Sequence, residues 1–212
     1  GSIPRNLRGM ENIMMDYVLD PELVRKLVRI SVDYHTKLAY RAMELGADAF
    51  WSSDDYCDNK GPIMGPEIFR AHILPGLTEL VFNIKKEGYF FIKHNDGNIT
   101  SILPDLVGAG INCIDPIDAE AGMSLLEVKR TYGKRIAIKG GVPVTRALSF
   151  GTVSDAVRET KRCIREGGPG GGYILSSSSD IIASVQPQNY KAMLDTLREF
   201  GTYPLDMDRL FD

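Results

Sequence analysis

The sequence predicts an α/β protein with a parallel sheet of about five strands and their helices; a closed (β/α)8 barrel needs eight strands, so the fold is either not a barrel or part of a larger one. Three observations carry this reading. Helix-like and strand-like segments alternate strictly with short links, which calls for parallel strands joined by right-handed crossovers. Every strand ends in polar residues or glycine: Asp54/Asp55, His94/Asp96, Asp115/Asp118, Lys139 and Ser176–Asp180. Such ends describe a cleft built from the loops that follow the strands. No Gly-rich phosphate turn follows the first strand at Trp51, where an open doubly wound sheet usually carries one.

Local signals justify each element. Glu11 to Val18 reads as a short amphipathic helix, since Ile13, Met14 and Val18 share one side. Asp20-Pro21-Glu22 opens the next helix: Asp caps, Pro occupies the first turn and Glu follows. That helix runs to about Leu45, where Gly46 stops it. Ala47 to Trp51 is the first strand, and a loop rich in Asp, Gly and Pro covers Tyr56 to Gly65. Gly65-Pro66-Glu67 opens a helix to about Lys86, interrupted at Pro75. The apolar run Tyr89 to Ile92 is a buried strand, and Lys93 to Asn98 follow as its polar end. A short helix spans Ser101–Val107. Ile111 to Ile114 is the third strand, ending in Asp115-Pro116-Ile117-Asp118. Ser124 to Tyr132 is a helix, and Arg135 to Ile138 is the fourth strand, running into Lys139-Gly140-Gly141. Thr152 or Ser154 caps a helix to about Arg165. Gly167–Gly172 precedes the fifth strand, Tyr173 to Leu175, and so reads as a helix-to-strand connection, not a phosphate cradle. Pro187 to Phe200 is the last long helix, and the tail from Thr202 shows no clear period.

Composition narrows the function classes. The 212 residues suffice for one domain with a real core, and 43% hydrophobic with 25% charged residues is ordinary for a globular protein. A formal net charge of −3, with no block of Lys or Arg, argues against nucleic-acid and anionic-membrane surfaces. No apolar run approaches the roughly 20 residues that cross a bilayer. The start, Gly1-Ser2-Ile3-Pro4-Arg5-Asn6, lacks an apolar signal segment, and Gly1-Ser2 resembles an expression scar. Three widely spaced cysteines, Cys57, Cys113 and Cys163, favour reduced thiols in a cytoplasm.

The strand ends supply the candidate chemistry. His94 and Asp96 are two apart, so an extended chain aims both the same way. Imidazole and carboxylate together hold a metal or relay a proton; the plainer alternative is that Asp96 caps a helix and His94 fills a hydrogen-bonded niche. Asp54 and Asp55 either orient substrate or a metal's ligands, or are solvated. Asp115 does likewise or belongs to an Asp-Pro turn. Lys139 neutralises a carboxylate or phosphate, or reaches solvent. Ser176–Ser179 has no base nearby in sequence, which argues against a serine nucleophile. Cys57 has no spacing partner, and Trp51, Tyr56 and Phe91 read as barrel lining.

These motifs resemble the uroporphyrinogen decarboxylase superfamily, and within it the cobalamin-dependent methyltransferases, including methylcobalamin:coenzyme M methyltransferases and their methoxyl-demethylating relatives. Arg8-Gly9-Met10-Glu11-Asn12, Met15-Asp16 and Asp20-Pro21-Glu22-Leu23-Val24 are similar to the segment leading into the mid-barrel helix. Asp54-Asp55, Gly61-Pro62-Ile63-Met64-Gly65-Pro66-Glu67-Ile68-Phe69 and Ile73-Leu74-Pro75 resemble the loop and helix after the fourth family strand. His94-Asn95-Asp96-Gly97-Asn98 is similar to the His-x-Cys-Gly-Asn motif, and Tyr173-Ile174-Leu175 with Ser178-Ser179-Asp180-Ile181 to the last strand and its turn.

The resemblance implies a (β/α)8 barrel of about 250 residues or more, of which this chain, 1–212, is the C-terminal portion without the first three βα units. The open edges of such a portion call for dimerisation or association with the absent part. In the methyltransferase branch a zinc ion is held by the His, the motif Cys and a Cys after the last strand. Here the corresponding residues are His94, Asp96 and Ser179, with Asp180 adjacent. Asp is a competent zinc ligand and Ser a poor one, which weakens thiol activation and leaves a Lewis-acid role on an ether oxygen. The resemblance thus implies methyl transfer between a small methyl donor, such as a methoxylated aromatic, and a corrinoid (cobalamin) carried by a partner protein. Asp115, Lys139 and Ser178 are the candidates for contacting that cofactor. Two alternatives stand beside it: uroporphyrinogen decarboxylation, which needs no metal, and a non-catalytic portion or binding module for a corrinoid protein.

Overall fold

The computed structural model describes residues 2–211, and the chain divides after Cys113 into two compact units. The first unit opens with α1 (Ser2–Arg8), α2 (Met10–Leu19) and the long α3 (Pro21–Glu44). Asp20 caps α3 by accepting from the Leu23 N–H at 3.0 Å. Strand β1 (Ala49–Ser52) follows, then a two-residue hairpin of β2 (Cys57–Asp58) and β3 (Gly61–Pro62). Helix α4 (Pro66–Ile68) continues through a π-helical turn (Phe69–Ile73) into α5 (Leu74–Lys85). Strand β4 (Phe90–His94), α6 (Leu103–Gly108) and the start of β5 (Cys113–Ile117) complete it.

β1 and β4 are parallel, with Ala49 opposite Phe90 and Ser52 opposite Lys93. This register places the loop after β1 alongside the end of β4. The unit's core gathers Val24, Phe69, Phe91, Ile99, Ile102 and Leu106, all almost fully buried. Helices α3 and α5 approach closely at Gly76, where a Cβ would come within 2.6 Å of Val28. Arg29 on α3 spans to Glu79 on α5 at 2.7 Å. Between α3, β1 and α5 a cavity of about 340 Å³ remains, lined by Val28, Val32, Phe50, Trp51 and Leu77 among others.

The second unit carries α7 (Leu125–Tyr132), β6 (Ala137–Val142), a π-helical turn (Val144–Ser149), α8 (Val153–Gly167), β7 (Tyr173–Ser177), α9 (Pro187–Phe200) and a 3-10 turn (Asp208–Leu210). β6 and β7 are parallel, Ile138 opposite Tyr173 and Val142 opposite Ser177. Tyr173 passes beneath Gly167, where a Cβ would meet its ring at 2.6 Å, and donates its hydroxyl to the Gly140 carbonyl at 2.7 Å. Ile138, Leu125 and Leu148 form the core here. β1 and β7 each pair with one neighbour among the described residues.

Five parallel strands alternating with helices match the predicted class. The differences are local. Each strand from β4 onward runs two to four residues past the end of its apolar run, so Lys93, His94, Asp115, Lys139 and Ser177 lie inside strands. A strand tolerates buried polar side chains when partners inside the fold satisfy them, and hydropathy alone does not register those partners. Pro75 sits in the first turn of α5, preceded by the π-helical turn, so the interruption is a continuous change of helical winding. The tail is anchored: Leu210 is buried and its carbonyl accepts from Arg165 at 2.9 Å. No helix among the described residues is long and apolar enough to cross a membrane.

Helix α8 begins with a full capping box, in which Thr152 accepts from the Asp155 N–H and Asp155 accepts from the Thr152 N–H. These bonds, with Arg158, hold the Asp155 carboxyl down at about 2, below its ordinary 3.8. The group's folded value is depressed, so its contribution is present above 3.8 and is lost as pH falls through about 2. Thermal denaturation of wild type and Asp155→Asn between pH 6 and pH 2 is expected to show a stability gap that closes across that window. Thr152→Ala is expected to cost about 1 kcal/mol near neutral pH.

Candidate metal centre

The site is built where the loop after β1 meets the end of β4, within the first unit. His94 is the last residue of β4 and its side chain is nearly buried. Its Nε2 lies 3.5 Å from Asp96 Oδ1 and 3.8 Å from Asp55 Oδ1. One donor atom from each of Asp55, His94 and Asp96 falls within 4.8 Å of the others. Ligands about 2.1 Å from a tetrahedral zinc lie about 3.4 Å from one another. Two of the three separations therefore already approach what one ion requires. The two carboxylates are 42% and 38% exposed, so a metal held there would keep an open side for water or substrate.

His94 and Asp96 thus point together, as their spacing predicts. Asp55, expected to act on substrate or behind the ligands, lies where its carboxylate offers a third donor atom. Its carboxylate also accepts from the Asp96 N–H at 3.0 Å, joining the two loops directly. Gly97 lets them meet. It has φ +83, and a Cβ on it would sit 2.5 Å from the Asp58 carbonyl oxygen. The next amide, that of Asn98, donates to that same oxygen at 2.8 Å. The Trp51 ring packs on the His94 imidazole with centroids 4.8 Å apart.

Two residues missed by sequence reasoning flank His94. Lys93 is fully buried; its ammonium donates to the Asp54 carbonyl at 2.7 Å and to the His94 carbonyl, and sits 4.3 Å from the Tyr56 ring centre. Burial pushes it down to about 8, against the pull of Asp54 and Asp55. Asn95, also fully buried, accepts from the Tyr56 N–H at 2.7 Å and donates to the Asp96 carbonyl. A lysine continuing an otherwise apolar parallel strand was the available signal. Cys57, nearby, is held up at about 11 by burial, against a hydrogen bond with the Asn95 side chain.

The other candidates lie in the second unit. Asp115, 2% exposed, pairs with Lys139 at 2.6 Å. Ser178 is buried, and its hydroxyl accepts from the Val144 N–H at 3.2 Å. The Ser179 carbonyl accepts from the Ser177 hydroxyl at 2.7 Å, and Asp180 is exposed. Asp54 contributes its carbonyl to Lys93, as described.

The uroporphyrinogen decarboxylase (URO-D) family matches residues 5–200, and the chain belongs to that family, a family of (β/α)8 barrels. Two Neisseria meningitidis serogroup C proteins named uroporphyrinogen decarboxylase are 23% and 22% identical over 188 residues, covering 85% of this chain and 49% of each relative. The chain therefore spans about half the length of the curated relatives it matches. A solved structure of a methyltransferase from Methanosarcina mazei superposes with a TM-score of 0.82 at 21% identity, over 95% of this chain and 56% of that one.

Zinc titration followed by calorimetry is expected to give one site per chain, abolished in His94→Ala and weakened at least about tenfold in Asp55→Ala. Gly97→Ala is expected to destabilise the protein by about 1–3 kcal/mol, read as a lowered Tm, because the alanine cannot hold this φ against the Asp58 carbonyl.

Proposed function

We propose that the protein is a methyltransferase moving a methyl group between a small methylated substrate and a corrinoid carried by a partner protein, with a metal held by Asp55, His94 and Asp96. The donor triad is the observation that carries this reading. The fold shared with the Methanosarcina mazei methyltransferase supports it. Bound here, zinc supplies Lewis acidity toward the oxygen of a leaving group, such as the phenolate of a methoxylated aromatic. The chain's own residues set the terms. Two carboxylates and a neutral imidazole balance a dication without a thiolate, which suits an oxygen-directed role better than thiol activation. The exposed sides of Asp55 and Asp96 leave room for substrate, and Trp51 walls the imidazole on one side. The buried cysteines Cys57, Cys113 and Cys163 form no disulfide among the described residues, which fits a reducing compartment such as the cytoplasm.

The second reading is uroporphyrinogen decarboxylation, favoured by the names of the two Neisseria relatives. It needs no metal. The test supplies the purified protein with zinc, cob(I)alamin and a panel of methoxylated aromatics and methylamines, and follows methylcobalamin by its absorbance. The expected result is zinc-dependent methylation that falls at least about a hundredfold in His94→Ala. Zinc-independent conversion of uroporphyrinogen, with no methyl transfer, would overturn the proposal. Inactivity in both assays, with retained binding to a corrinoid protein, would favour a binding module.

A further inference from the structure

The donor loop is clamped by two buried side chains that bond to main-chain groups and not to the donor atoms themselves. At the end of β4 and just past it, the His94 and Asp96 side chains approach each other, while those of Lys93 and Asn95 reach the backbone of the loop after β1. Lys93 donates to the carbonyl of Asp54, the residue before Asp55. Asn95 accepts from the N–H of Tyr56, the residue after it. The main chain of Asp55 is therefore fastened on both sides to the strand that carries His94. The same two side chains also bind the carbonyls of His94 and Asp96. Each buried polar atom of the clamp that these bonds describe has a backbone partner, and the third face of the ammonium meets the Tyr56 ring.

We infer that Lys93 and Asn95 are positioning residues that hold Asp55 within reach of His94 and Asp96, so that three donors converge before any metal arrives. This rests on the metal-dependent reading above. It has a distinctive sign. A buried cation close to a dication site repels the metal, so deleting the charge alone would tighten binding. Loss of the clamp does the opposite, because Asp55 must then be ordered at the moment of binding.

The test titrates zinc into wild type, Lys93→Met, Lys93→Arg, Asn95→Leu, Asp55→Ala and the Lys93→Met/Asp55→Ala double variant, with Tm measured for each. Cobalt(II) spectra report donor number and geometry independently of turnover. Lys93→Met and Asn95→Leu are expected to weaken zinc about tenfold or more and to reduce the tetrahedral cobalt bands. Lys93→Arg, which keeps N–H donors, is expected to recover part of the loss. In the Asp55→Ala background, Lys93→Met is expected to cost little further affinity, since its effect runs through Asp55. Unchanged or tighter zinc binding in folded Lys93→Met overturns the inference while leaving the metal centre standing. If that variant does not fold, unchanged zinc binding in folded Asn95→Leu does the same. Wild type that binds no zinc overturns both.

Discussion

A lysine ammonium taken out of water on a parallel strand has to find partners for all its N–H bonds inside the fold. Lys93 meets that demand with the carbonyls of Asp54 and His94 and the face of Tyr56. The demand fixes more than one side chain. It draws the loop after β1 across the end of β4, and Asn95 fastens the same loop one residue further on. Gly97 and the Asp58 carbonyl complete the contact from the other loop. The parallel register of β1 with β4 sets the two loops side by side; the buried polar bonds decide which residues face one another.

What faces outward from this brace is a concentration of negative charge. Two carboxylates whose oxygens lie within 4.8 Å repel by about 3.5 kcal/mol or more at an effective dielectric near 20, and less where solvent screens them, as it does here. Lys93 offsets part of this from below. The remaining imbalance sits on the exposed side, next to an imidazole whose spacing from both carboxylates approaches that of metal ligands. Two carboxylates with one imidazole form a harder donor set than a thiolate-rich one. The chemistry follows from donor type as much as from geometry.

The polar strand residues of the second unit have partners within the fold. The Asp115 carboxylate is buried and balanced by Lys139, and breaking such a pair leaves a charge without its partner at high cost. Ser178 receives the Val144 N–H at the start of the π-helical turn. Position at a strand end is thus a weak guide to role, because that is also where helices and turns begin and their free N–H groups need acceptors.

The sequence by itself determined the architecture: apolar runs of strand length, capped helices and their alternation leave only a parallel α/β arrangement. It also marked His94 and Asp96 as a pair, two apart at a strand end, although β4 ends at His94 and the structure brings Asp96 back to it from the following loop. The residues Asp54 and Asp55 were legible as candidates, yet which of them would join His94 was not. That choice depends on Lys93 and Asn95 reaching across some 40 positions of chain to Asp54 and Tyr56, and no local pattern encodes such a contact. The strands from β4 onward run past their apolar stretches for the same reason: Lys93, His94, Asp115 and Lys139 look like loop residues until their buried partners are seen. Burial of polar groups is a tertiary decision, since only the assembled fold supplies the bonds that replace water.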